Sequence, residues 1–118
     1  MIVWADNIPI YLHRAPVDFR KAINGLVVIV EQEMQLPLFE NSLFVFCNRR
    51  CTQLKVLYWD HTGFALWQKR LEKNKFKWPK RWSDTVVSLN HEQWLWLLRG
   101  FDLNKMQSHA PLSFYQIA

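Results

Sequence analysis

Between Leu43 and Leu71 the chain reads as extended segments in direct succession, and this most narrows the folds open to it. Leu43-Phe44-Val45-Phe46-Cys47 is apolar at every position, as a strand buried on both faces must be. From Leu54 to Trp59, period-two alternation puts Leu54, Val56 and Tyr58 on one face and Lys55, Leu57 and Trp59 on the other. Asp60-His61-Thr62-Gly63 is a turn, with Gly63 free to take positive φ, and Phe64 to Leu71 pairs back. Glu72-Lys73-Asn74 turns again into Lys75-Phe76-Lys77-Trp78, where alternation sets lysines on one face and rings on the other. Three successive hairpins make an antiparallel meander.

Each flank adds a short extended piece and a helix. Ile8 to Leu12 reads as a short first strand, with Pro9 near its start. Asp18 stands where it can cap a helix carrying the stripe Phe19, Ala22, Ile23, Leu26, Val27, Val30 and Met34, and Pro37 marks its end. Gly25 within that stripe suggests close packing against another backbone. Thr85 to Leu89 is extended. Asn90-His91-Glu92-Gln93 resembles a capping box for a helix that turns Trp94, Leu97 and Leu98 inward and stops at Gly100. Trp94 and Trp96 cannot share a helix face, so Trp96 is the candidate partner-binding residue. The expected fold is α+β: a small antiparallel β-meander packed by an N-terminal amphipathic helix and a C-terminal helix. Residues 1–103 form one domain and 104–118 a loosely ordered tail.

Charge placement is more informative than the net charge of +5. Ten of the fifteen basic residues lie between Arg49 and Arg81, opposed only by Asp60 and Glu72, leaving +8 there and −3 in the remainder. That asymmetry points to a polyanionic partner, and the nucleic-acid-binding candidates are Arg20, Lys21, Arg49, Arg50, Lys55, Lys69, Arg70, Lys73, Lys75, Lys77, Lys80 and Arg81. Trp78 and Trp82 are core candidates that would otherwise stack on bases. Catalysis and metal binding find little support. Asp18 and Asp60 sit at element ends where capping and turn formation account for them, and no glycine-rich phosphate loop exists among three glycines. Cys47, Cys51 and His61 lack a fourth ligand and a zinc-site spacing, so no metal, cofactor or catalytic residue is assigned. No apolar stretch, Leu26 to Val30 included, is long enough to span a membrane, and the start at Met1 shows no secretory signal; the expected location is cytoplasmic.

Five blocks in order carry a family resemblance: Pro16-Val17-Asp18-Phe19-Arg20-Lys21, Leu43 to Arg50, Leu54 to Asp60, Lys69-Arg70-Leu71-Glu72 with Phe76-Lys77-Trp78-Pro79, and Leu89, Gln93, Leu97, Leu98, Gly100 and Asp102. Over about residues 8 to 103 the chain resembles the TnpB accessory protein, the product of the second open reading frame of insertion sequence 66 family elements. The resemblance implies a non-catalytic protein of transposition acting beside a separate transposase. Its expected partners are DNA at the element ends and that transposase, with no membrane and no small-molecule ligand. The alternative is an adaptor for the transposase without direct DNA contact. Two positions depart from the pattern: Cys51 stands where the family often has glycine, and Ala22 where it often has glycine or serine.

Overall fold

A five-stranded mixed sheet forms the middle layer of the molecule, its strands running from edge to edge as Gly63–Arg70, Gln53–Asp60, Leu43–Cys47, Ile10–His13 and Val86–Leu89. The strands are β1 (Ile10–His13), β2 (Leu43–Cys47), β3 (Gln53–Asp60), β4 (Gly63–Arg70) and β5 (Val86–Leu89), with helices α1 (Ile23–Ile29) and α2 (His91–Arg99). The computed structural model describes residues 7–79 and 83–102; the chain start, Lys80, Arg81, Trp82 and the expected tail lie outside them. Strands β2, β3 and β4 form an antiparallel meander of two hairpins, one fewer than the three expected. Strand β1 does not continue it, because it pairs in parallel with β2 and antiparallel with β5. A parallel neighbour needs a crossover connection, and α1 lies within the one from β1 to β2.

Each strand face has its own cover. On one side Leu43, Val45, Cys47, Leu54 and Val56 pack with Trp94, Leu97 and Leu98 of α2 and with Phe76 and Trp78. On the other, Phe44, Phe46 and Leu57 pack with Leu26, Ile29, Val30 and Met34. All five residues of β2 are buried, as the uninterrupted apolar run predicts. Burial of a side chain such as Phe44 contributes roughly 1.5–3 kcal/mol.

The first helix is shorter than its stripe. Regular α-helix begins at Ile23, followed by a π-helical turn Val30–Met34 that ends with Gln35 at φ 55°. Asp18 does not cap it: its carboxylate accepts instead from the Arg20 backbone and side chain. The carbonyls of Phe19 and Lys21, which a helix starting at Asp18 would offer to Ile23 and Gly25, accept from the Lys55 ammonium at 2.9 and 2.7 Å. Most of the stripe still reaches the core, with Phe19 packed against it from outside the helix, but Ala22 is exposed. The atoms nearest to where a Cβ would stand on Gly25 belong to the Lys21 side chain, so close approach of another element's backbone is not what the glycine meets first.

Two further expectations are corrected. In the β3–β4 turn the positive φ belongs to His61, at 57°, while Gly63 is the first residue of β4 opposite Asp60. Lys75 to Trp78 is not a strand. Phe76 and Trp78 are buried and Lys75 and Lys77 exposed, so the alternation holds, but the segment crosses the end of the sheet instead of joining its edge. Helix α2 follows its sequence signals: Asn90 Oδ1 accepts from Gln93 N, Gln93 Oε1 accepts from Asn90 N, and Gly100 closes at φ 95°.

Candidate nucleic-acid interface

One end of the sheet collects the cations. His13, Cys47, Gln53, Arg70 and Val86 mark the same end of β1, β2, β3, β4 and β5 by their pairing register. Backbone bonds tie the connecting segments across it. Val17 N donates to Cys47 O at 2.9 Å, Leu71 N to Thr52 O at 2.8 Å, and Phe76 N to Cys51 O at 2.7 Å. Trp78 Nε1 donates to Arg14 O at 2.7 Å, and Arg14 N to Thr85 O at 3.0 Å. Stretches far apart in the chain, 14–21, 48–52 and 69–79, therefore meet at one surface.

Most of the candidates named from the sequence are brought there. Arg20, Lys21, Arg49, Arg50, Arg70, Lys73, Lys75 and Lys77 are exposed and Lys69 is half-buried; Lys80 and Arg81 lie outside the described residues. Among the described residues Asp18 pairs with Arg20 and Glu72 with Arg70, and Glu33 reaches the same end through His13 Nε2 at 2.9 Å. Arg20 side-chain donors hold Asp18 well below the ordinary carboxylate range, at about 2, so that pair stays ionised. Exposed cations over a backbone-stapled scaffold can neutralise phosphates without reading sequence.

Lys55 leaves the group. It is 6% exposed, its ammonium sits 4.9 Å from the centre of the Phe19 ring, and burial lowers its pKa. An amine bonded to two carbonyls inside the protein is not a phosphate contact. Trp78 is core, as weighed from the sequence, whereas Trp96 is only partly exposed on α2.

Beneath Arg49 and Arg50, Asn48 builds the turn. Its Oδ1 accepts from Thr52 N and Gln53 N at 2.9 and 3.0 Å, and its Nδ2 donates to Thr52 Oγ1 at 3.0 Å. Cys51 closes that turn at φ 59°, a left-handed conformation that explains why glycine suits this position. A groove of about 540 Å³ runs between this turn and Pro16–Arg20, lined by Pro16, Val17, Asp18, Phe19, Arg20, Asn48, Arg49 and Arg50. Sequence reasoning missed the groove and Arg14, whose Nε donates to Asp84 O at 2.8 Å.

The opposite end differs in kind. Phe39, Trp59 and Phe64 form an edge-on aromatic cluster, with Trp59 4.9 Å from Phe39 and 5.0 Å from Phe64 between ring centres. Phe39 is 66% exposed. His61 lies at that end too, remote from Cys47 and Cys51, both buried at the basic end. Among the described residues no three His, Cys, Asp or Glu side chains form a metal-binding group, and no helix is long and apolar enough to cross a membrane.

Residues 8–108 match the family model described as IS66 Orf2 like protein. Two relatives come from Sinorhizobium fredii (strain NBRC 101917 / NGR234). Uncharacterized protein y4jC is 33% identical over 107 residues, 91% of each chain. Uncharacterized protein y4hO is 28% identical over 102 residues, 86% of this chain and 88% of its own. No solved structure matches the chain.

Proposed function

The chain belongs to the IS66 Orf2-like family of insertion-sequence accessory proteins, and on that premise we propose that it binds the DNA of its element through the basic end of the sheet, beside the transposase and without catalysing strand transfer itself. The observation that carries this reading is the convergence of three separate cationic segments on one surface, where Asp18 and Glu72 each pair with a single arginine. Loops held by backbone bonds to strand ends present their charges at little ordering cost, which favours association with a polyanion.

Salt dependence tests it. Each lost phosphate contact reduces the steepness of log affinity against log salt by roughly 0.9 on duplex DNA. Replacing exposed Lys73, Lys75 and Lys77 with glutamine should weaken duplex binding and lower the slope by up to about 2.7, at unchanged melting temperature. Equal affinity of parent and triple variant at low salt would remove this surface from consideration.

A second reading, an adaptor holding the transposase, has its own support in the Phe39, Trp59 and Phe64 cluster, since aromatic residues are enriched in interface anchors. That cluster is a better anchor than Trp96, because Phe39 is the most exposed of the large hydrophobic residues described. The two readings use opposite ends of the sheet, and an adaptor without direct DNA contact would leave the basic end idle, so each can be tested separately.

A further inference from the structure

Building on the nucleic-acid reading, we infer that the groove between Pro16–Arg20 and Asn48–Arg50 is a subsite for one unpaired nucleotide, its phosphate held by Arg20, Arg49 and Arg50 and its base against Pro16, Val17 and Phe19. The hollow, about 540 Å³, falls within the usual range for small-ligand sites and is far larger than a phosphate alone requires. It is lined by three arginines, by Asp18 paired with one of them, by Asn48 and by the apolar Pro16, Val17 and Phe19, so the cations outnumber the one acid. A stacked duplex offers phosphates to such a surface but keeps its base faces covered. An unpaired nucleotide brings charge and a flat apolar face together.

The groove is also pre-set. Arg20 Nε and Nη2 donate to Asp18 at 2.9 and 2.6 Å, which orients the guanidinium although its side chain is 92% exposed. Lys55 holds the carbonyls on either side of Arg20, those of Phe19 and Lys21, and so fixes the backbone that carries it. Asn48 does the same for Arg49 and Arg50 through its three hydrogen bonds. Lys55 is thus a positioning residue: its charge faces inward and its effect on binding passes through Arg20. Order established before the ligand arrives reduces the entropy lost on binding.

The test compares a labelled blunt duplex with the same duplex carrying a short single-stranded overhang, by fluorescence anisotropy at one salt concentration. The parent should bind the overhang duplex on the order of tenfold more tightly, the contribution of about one stacked base. Arg20→Gln combined with Arg50→Gln should bring that ratio close to one. The Lys73, Lys75 and Lys77 glutamine variant should weaken both duplexes and keep the ratio. Lys55→Met should also lose the ratio, but it disturbs a buried group and can impair folding, so the exposed arginine pair decides the outcome. Equal binding of both duplexes by the parent, or a ratio that survives the arginine double variant, overturns the subsite while leaving duplex binding in place. Binding of neither duplex overturns the wider reading, and the subsite falls with it.

Discussion

Cys51 shows how much one backbone angle can decide. At φ 59° its Cβ costs about 1–2 kcal/mol, yet its side chain is buried in the core cluster that also holds Phe76 and Trp78, beneath the Arg49–Arg50 turn. Removing the last carbon therefore has opposing consequences, because lost packing is offset by relief of the left-handed strain. Cys47 lies in β2, where glycine brings no such relief and weakens the strand. The alanine-to-glycine step should thus cost close to nothing at position 51 and about 1 kcal/mol at position 47. Thermal melts of the four single variants measure both steps, and equal costs at the two sites would refute the account. Lys55 is the other residue whose role reverses between chain and fold. It sits at a regular outward position in the alternation of β3, but that face is covered by the segment leading into α1, so its amine turns to two carbonyls.

Among the elements, the segment from Glu72 to Pro79 is held least by regular structure and most by individual contacts. It carries Lys73, Lys75 and Lys77 across the end of the sheet, anchored by Phe76 and Trp78 in the core and by the Trp78 indole on Arg14 O. Trp78→Phe keeps most of the buried ring and deletes that hydrogen bond. A loss of about 1 kcal/mol is expected, or roughly 4–8 °C in melting temperature for a domain of this size. Hydrogen exchange should speed up in residues 73–77 and not in β2 or β3; uniform acceleration would mean that the segment is integral to the fold instead of strapped across it.

The whole molecule divides its surfaces: cations at one end of the sheet, and at the other an aromatic cluster in which Phe39 is exposed and Trp59 and Phe64 half-buried. Because β3 and β4 run between the two ends, a change at one leaves the other intact. Phe39→Ser, at an exposed position, should change stability by no more than about 0.5 kcal/mol. It should lower recovery of the transposase with this protein while leaving the salt slope of DNA binding unchanged. If the slope moves and recovery does not, the roles given to the two ends are wrong.

The sequence by itself determined what short-range rules govern. Alternation from Leu54 to Trp59, the apolar run Leu43–Cys47, the Asn90–Gln93 capping box and the Gly100 stop are local patterns whose physics is complete within a few residues, and each is found in place. The clustering of charge from Arg49 to Arg81 was equally legible. The tertiary structure alone decided three things. It set β1 parallel to β2 at the sheet interior, which depends on a crossover that period-two patterning does not encode. It shortened the first helix, because Lys55, far along the chain, takes the carbonyls of Phe19 and Lys21. It also joined Arg20 to Arg49 and Arg50 across one groove, since only the closure of the sheet brings the end of β1 beside the β2–β3 turn.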